Sequence, residues 1–251
     1  QVIALHSAQV LFVFHLRSLR THILMAYELK YFDARGVAEV IRMIFAVAKK
    51  EYTDTRFSIA FGTPGDFSTI IRPEFDEAKA SGQLDKACGK APVLFLDGVA
   101  LMGQSKAIER YLSTKLGLMG ANAEEGGMID ALCENVRDAK DAYSAAKRKP
   151  EGEERDAAIK KFFEEELVKW CMDTEKSLPA PGGDFLVGSS ISLADLTWFN
   201  FVGVDDKPFF DNVEGAKAAY AGCPRIKKAM EACAANTDLA AWIASRPKTM
   251  F

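Results

Sequence analysis

"GKAPVLFLDGVALMGQSKAIERYL", residues 89–112, decides the fold. Two apolar runs, "VLFL" and "VALM", flank Asp97-Gly98. Glycine tolerates positive φ and aspartate bonds its own backbone, so this pair predicts a two-residue hairpin turn. Pro92 opens the first strand, where a missing N–H costs least. Gly103 then supplies a turn into an amphipathic helix that starts at Ser105 and points Ala107, Ile108, Tyr111, Leu112 and Leu116 inward. A helix start leaves backbone N–H groups without partners. Ser105 therefore reads either as a plain N-cap or as part of a carboxylate site at the positive end of the helix dipole. The amide of Gln104 can donate and accept beside it. Ala91 is held extended by the proline that follows. A cis Ala91-Pro92 bond would turn the Ala91 N–H and C=O outward, where a peptide-like ligand could pair with them as a strand does.

Upstream, residues 26–32 alternate apolar and polar and predict a strand. Residues 37–50 place Val37, Val40, Ile41, Ile44, Phe45 and Ala48 on one helical face, and 51–57 alternate again. The unit is strand-helix-strand, with parallel strands and a right-handed crossover. Residues 58–91 are rich in Gly, Pro, Ser and Asp and read as surface loop with one short helix near 74–80. Downstream, 118–127 read as a linker. Beyond it only helical patterns occur: 128–146, 153–177, 192–203, 213–221, 224–234 and 238–244. The fold class is α/β plus all-α: a βαβ-ββα domain over 25–117, then a helical domain over 128–251. "GSSISLADLTWF" carries a capping box, with Ser192 at N-cap, Asp195 at N3, and Ile191 and Leu196 in the staple positions.

The chain has 251 residues and a net charge of -3, with 49% hydrophobic and 27% charged residues. Those values give room for a core in one or two domains. They point neither to nucleic acid nor to an anionic membrane. Five cysteines, widely spaced and without a CxxC, argue against a disulfide framework, a zinc site or a dithiol motif, and for a reducing compartment. Cys88 reads as a free loop thiol. His6, His15 and His22 are the only histidines, so the body of the chain has no imidazole chemistry and no histidine metal site. Catalysis there must use Tyr, Lys, carboxylates, Cys, backbone dipoles or a bound cosubstrate. Residues 1–24 hold no acidic residue and read as an extension outside the fold, either an organelle transit peptide or sequence translated ahead of Met25. The apolar run 10–14 is too short to span a bilayer.

Three blocks, "YELKYFDARGVAEVIR", "GKAPVLFLDGVALMGQSKAIERYL" and "FLVGSSISLADLTWF", together resemble a cytosolic glutathione transferase. The nearest group is the sigma-like one, which includes the glutathione-dependent prostaglandin D synthases. The resemblance implies a thioredoxin-like domain followed by a helical domain, a homodimer, a cytoplasmic location and glutathione as cosubstrate. It implies that the Tyr31 hydroxyl donates a hydrogen bond to the glutathione sulfur. A thiol of pKa about 8.5 is mostly protonated at neutral pH, and such a donor favours the thiolate. The resemblance further implies that Gly89, Lys90, Ala91 and Pro92 pair with the cysteinyl backbone, and that Gln104 and Ser105 hold the γ-glutamyl end. Phe75 and Lys79 would lie near the glycine carboxylate, and Asp138 would reach the γ-glutamyl amine across the dimer interface. The electrophile would sit between the domains, against Phe32, Ala34, Val37, Thr197 and Phe201. Val37 is a departure, since many sigma-like members carry Arg there; this puts isomerase activity and strong thiol activation in question. The expected function is conjugation of glutathione to a hydrophobic electrophile. The alternatives are a glutathione-dependent isomerase or peroxidase on the same site, or a non-catalytic structural or carrier protein.

Overall fold

Strand β1 (Tyr27–Phe32) pairs in parallel with β2 (Tyr52–Phe57), and helix α1 (Glu39–Val47) crosses between them. A short 3-10 turn, Gly36–Ala38, leads into α1. Leu29, Ile41, Met43, Ile44 and Phe45 are buried where the helix covers the sheet. On its other side β1 pairs antiparallel with β5 (Val93–Leu96), which turns into β6 (Val99–Gly103). The sheet order is β2-β1-β5-β6. Asp97 and Gly98 have φ of 51° and 80°, both in the left-handed region that the two-residue hairpin requires. The Asp97 carboxylate also accepts from the Ala26 N–H at 2.9 Å. The computed structural model describes residues 26–63, 66–204, 209–210 and 212–249, so the extension 1–24 lies outside the described residues.

Residues 58–91 are more ordered than a surface loop. They include a two-stranded ribbon, β3 (Ala60–Phe61) with β4 (Ile70–Ile71), then helix α2 (Pro73–Ala80) and a 3-10 turn, Asp85–Ala87. Phe75, Ala78, Leu84 and Ala87 from this stretch bury against Phe57, Val93 and Phe95 as a second small core. Few apolar residues among many Gly, Pro and Asp gave no periodicity, and the order comes from that long-range packing.

Helix α3 (Ser105–Lys115) closes the first domain, and α4 (Ala123–Lys147) opens the second. The linker is shorter than the sequence suggests, because α4 starts at Ala123. Asn122 accepts from the Glu125 N–H at 2.9 Å, and Glu125 accepts from the Ala121 N–H at 2.8 Å. This cap overrides the low helix propensity of Gly126 and Gly127. The rest is helical: α5 (Glu153–Lys161), α6 (Leu167–Ser177), α7 (Leu193–Trp198), α8 (Val213–Ala219), α9 (Pro224–Ala235) and α10 (Thr237–Ser245). Two π turns, Phe162–Glu166 and Phe199–Gly203, bring Phe162, Phe163 and Phe201 to Tyr143 and Phe210 in one aromatic cluster.

The predicted capping box of α7 is present and wholly buried. Asp195 accepts from the Ser192 N–H at 2.8 Å, the Ser192 hydroxyl at 2.6 Å and the Leu186 N–H at 2.8 Å. The two domains are tied through Glu39 on α1, whose carboxylate accepts from Trp242 Nε1 at 3.0 Å and from Arg246 at 2.8 Å. All five cysteines are free; Cys88 is exposed and the other four are buried. Among the described residues no helix is long and apolar enough to cross a membrane.

Candidate active site

The strand register builds the site. Lys30 pairs with Val93, and Val93 pairs with Gly103. One residue further out along each strand stand Tyr31, Pro92 and Gln104. The end of β1, the start of β5 and the start of α3 therefore meet at one edge of the sheet. Sequence reading named all three positions, and the register brings them together.

Tyr31 is half-buried at the end of β1, its ring edge-on to Phe32 at 5.5 Å between centroids. Its hydroxyl lies against Gly36, where a Cβ would come within 2.5 Å of it and where φ is +43°. Burial raises the phenol's pKa above its ordinary value, opposed by the Val37 N–H and by the charge of Arg42. The phenol thus keeps its proton across the physiological range and can donate it in a hydrogen bond. Gly36→Ala would press on this hydroxyl and strain the turn. If Tyr31 faces the glutathione sulfur, as the resemblance implies, kcat for conjugation should fall about tenfold with the glutathione Kd little moved. Steady-state kinetics beside calorimetric titration check this.

Sequence reading missed Arg42. Its guanidinium carbon lies 5.9 Å from the Tyr31 ring centroid, and the residue is fully buried. It donates to the Ala34 carbonyl at 2.8 Å and to Asp54 at 3.1 Å. A charged residue on the core face of an otherwise apolar helix was the available signal. Arg42 places a positive charge behind Tyr31, whereas Val37, 52% exposed, offers none in front.

The Ala91-Pro92 peptide bond is cis. Pro92 is buried and Ala91 half-buried, with Gly89 at φ 67° and Lys90 exposed before them. The Lys79 side chain runs past Gly89, its Cε 3.0 Å from where a Cβ would stand. Lys79 therefore joins the 89–92 segment. Phe75 does not face that segment as an open surface; it is 4% exposed and packs on Phe32 and Phe57 at 5.0 and 5.8 Å between centroids.

At α3 the structure revises the local reading. The N-cap is Gln104, not Ser105, and Gln104 makes no side-chain capping bond. Its φ is 69° and ψ 106°, a backbone state that is costly for a residue with a side chain and typical of functional sites. Gly103 is not the turn residue; it ends β6, and a Cβ there would meet Ala87 at 2.4 Å. Glycine is needed for that close approach. Ser105 sits at the first helical position, half-buried, beside backbone donors that no side chain caps.

Asp138 is exposed on α4. Ala34 is 1% exposed beside Tyr31, and Phe32 is half-buried. Thr197 and Phe201 are fully buried: Thr197 meets the Cys133 thiol at 3.6 Å, and Phe201 belongs to the aromatic cluster.

Residues 137–246 match the family described as Glutathione S-transferase, C-terminal domain. The chain is 29% identical to S-crystallin SL11 of Nototodarus sloanii, over 90% of this chain and 99% of that one. It is 30% identical to the hematopoietic prostaglandin D synthase of Gallus gallus, over 89% of this chain and 98% of that one. Among solved structures, a Nu-class glutathione transferase from Haemonchus contortus superposes with a TM-score of 0.69 at 30% identity, covering 90% of this chain and all of that one. The chain belongs to the glutathione S-transferase family, in its sigma-like group.

Proposed function

We propose that the chain is a glutathione transferase that holds glutathione along the edge defined by Tyr31, Pro92 and Gln104 and adds its thiolate to an apolar electrophile. The observation that carries this reading is the convergence, at one sheet edge, of a protonated phenol, the Ala91-Pro92 segment and a helix start that no side chain caps. The phenol donates to the sulfur and stabilises the thiolate. Ala91 pairs with the cysteinyl backbone, and Gly89, Lys90 and Lys79 stand toward the glycine end. The donors around Gln104 and Ser105 take the γ-glutamyl carboxylate. Holding both reactants together supplies much of the remaining rate. The electrophile approaches past Phe32 and Val37. Asp138 reaches the γ-glutamyl amine of a second subunit in a homodimer, and the protein acts in the cytoplasm.

The test is glutathione conjugation to a generic aryl halide, with glutathione binding read separately. Ser105→Ala removes one ligand to the γ-glutamyl carboxylate. It should weaken glutathione binding about tenfold, a loss of about 1.4 kcal/mol, while saturated kcat moves less. Unchanged affinity would move the γ-glutamyl end away from α3.

A second reading, a non-catalytic structural protein, is favoured by Val37 and by the likeness to an S-crystallin. Glutathione binding without turnover would support it.

A further inference from the structure

Lys140 lies on α4, and its ammonium stands 4.6 Å from the Phe209 ring centroid and 5.6 Å from that of Phe201. The residue is half-buried, and among the described residues its ammonium makes no hydrogen bond and no ion pair. The acid whose charge acts on it is already engaged. Glu109 on α3 is 2% exposed, and Lys106 Nζ holds its two carboxylate oxygens at 3.0 and 2.8 Å. Of the described charges that act on Lys140, Lys106 and Glu109 cancel, so the charge of Lys140 itself is left over. Aromatic faces recover about 0.5–2 kcal/mol for a cation but accept none of its three N–H bonds. An enclosed charge without a hydrogen-bonding partner is costly. The surroundings therefore suit a ligand with an apolar body and an anionic group.

The place is also telling. Lys106 directly follows Ser105 in the first turn of α3, and the charges of both Lys106 and Glu109 act on Lys140. Cys133, on the same helix as Lys140, touches Thr197 on α7. Lys140 thus lies where α3 of the first domain meets α4 and the Phe199–Gly203 turn of the second, the junction at which the electrophile is expected.

We propose that Lys140 determines electrophile specificity: its ammonium pairs with a carboxylate on an electrophile of apolar body, so that amphiphilic acids are preferred over neutral molecules of the same shape. This rests on the conjugation reading above and names the substrate class within it.

The charge state of Lys140 gives a signature. Burial pushes its pKa down to about 8, Lys106 pushes the same way, and Glu109 opposes. Glu109 in turn feels Lys106 and Arg110, and Cys133, raised by burial to about 12, stays neutral. Lys140 is therefore charged below about pH 8 and neutral above it. The preference for the acid is present below that pH and fades above it.

The test uses two 2-alkenals of equal chain length, one ending in a carboxylate and the other in its methyl ester. In both, the glutathione sulfur bonds the β-carbon and the α-carbon takes a proton, so the reacting ends are alike. The expected KM for the acid is about tenfold below that for the ester at pH 6.5, equivalent to about 1.4 kcal/mol. Lys140→Met should abolish this ratio, Lys140→Arg should keep it, and it should shrink between pH 7 and 9 in the wild type. Equal KM values in the wild type, or an unchanged ratio in Lys140→Met with normal thermal unfolding, overturn the proposal. Turnover of an aryl halide without an acid preference leaves the transferase reading standing and removes this one. If no electrophile is turned over, the conjugation reading fails. Equilibrium binding of the acid and its ester to wild type and Lys140→Met then decides whether Lys140 holds a carboxylate.

Discussion

Tyr31→Phe should lower kcat/KM for glutathione conjugation at pH 6.5 by about 30- to 100-fold and leave glutathione affinity within about threefold. A free thiol has a pKa of about 8.5, so about one molecule in a hundred is ionised at pH 6.5. A donor that lowers that pKa by about two units, about 2.7 kcal/mol, brings the fraction to about one half. The Tyr31 phenol fits this role because burial raises its pKa, so it does not lose the proton it must donate. Phenylalanine keeps the ring packing on Phe32 and removes only the donor. The pH profile is the discriminating readout. The variant's rate should keep rising toward pH 9 as solvent titrates the thiol, so that the two enzymes converge. A parallel loss at every pH would mean that Tyr31 positions the substrate without ionising it.

Asp195→Ala should lower Tm by about 10 °C and destabilise the chain by about 3–5 kcal/mol, with chemical denaturation as the check. Three donors converge on this fully buried carboxylate, and alanine would orphan the Leu186 and Ser192 N–H groups together. A lost N-cap costs about 0.5–2 kcal/mol, and each buried unsatisfied donor about 1–3 kcal/mol. The site joins the Leu186 segment to α7, whose Trp198 donates to the Leu132 carbonyl of α4 at 3.3 Å, so the damage reaches the core of the helical domain. Asp195→Asn adds a test of sign. Burial raises the Asp195 pKa to about 6, opposed by its hydrogen bonds. The native state thus holds this proton more tightly than the unfolded chain, whose carboxyl titrates near 4. The stabilisation linked to that proton is complete below about pH 4 and is lost as pH rises through 6. The stability gap between wild type and Asp195→Asn should therefore be wider at pH 4.5 than at pH 7.5; a gap that widens with pH would contradict the burial argument.

Much of the architecture was determined by the sequence alone. Periodicity set the βαβ unit, Asp97-Gly98 set the hairpin, and Ser192 with Asp195 set the start of α7. Each is a local rule: a side-chain period, a backbone preference or a cap closed within a few residues. Pro92 and Gln104 stood out in the stretch 89–112 itself, whereas Tyr31 was named only by the family resemblance. Only the tertiary structure decided the rest. The order in 58–91 depends on Phe75 and Leu84 finding Phe57 and Phe95. Gly103 is required by Ala87, sixteen residues away, and not by a turn of its own. The left-handed φ of Gln104 replaced the N-cap that was one of the two readings of Ser105. Lys140 carries no local signature and Arg42 only that of a charge on an apolar face, since one charged residue on a helix reads as solvated until the fold encloses it. Their chemistry arises from what other elements bring to them: Asp54 and Tyr31 to the first, Glu109, Phe201 and Phe209 to the second. Burial converts an ordinary charge into a functional one, and burial is a property of the assembled chain.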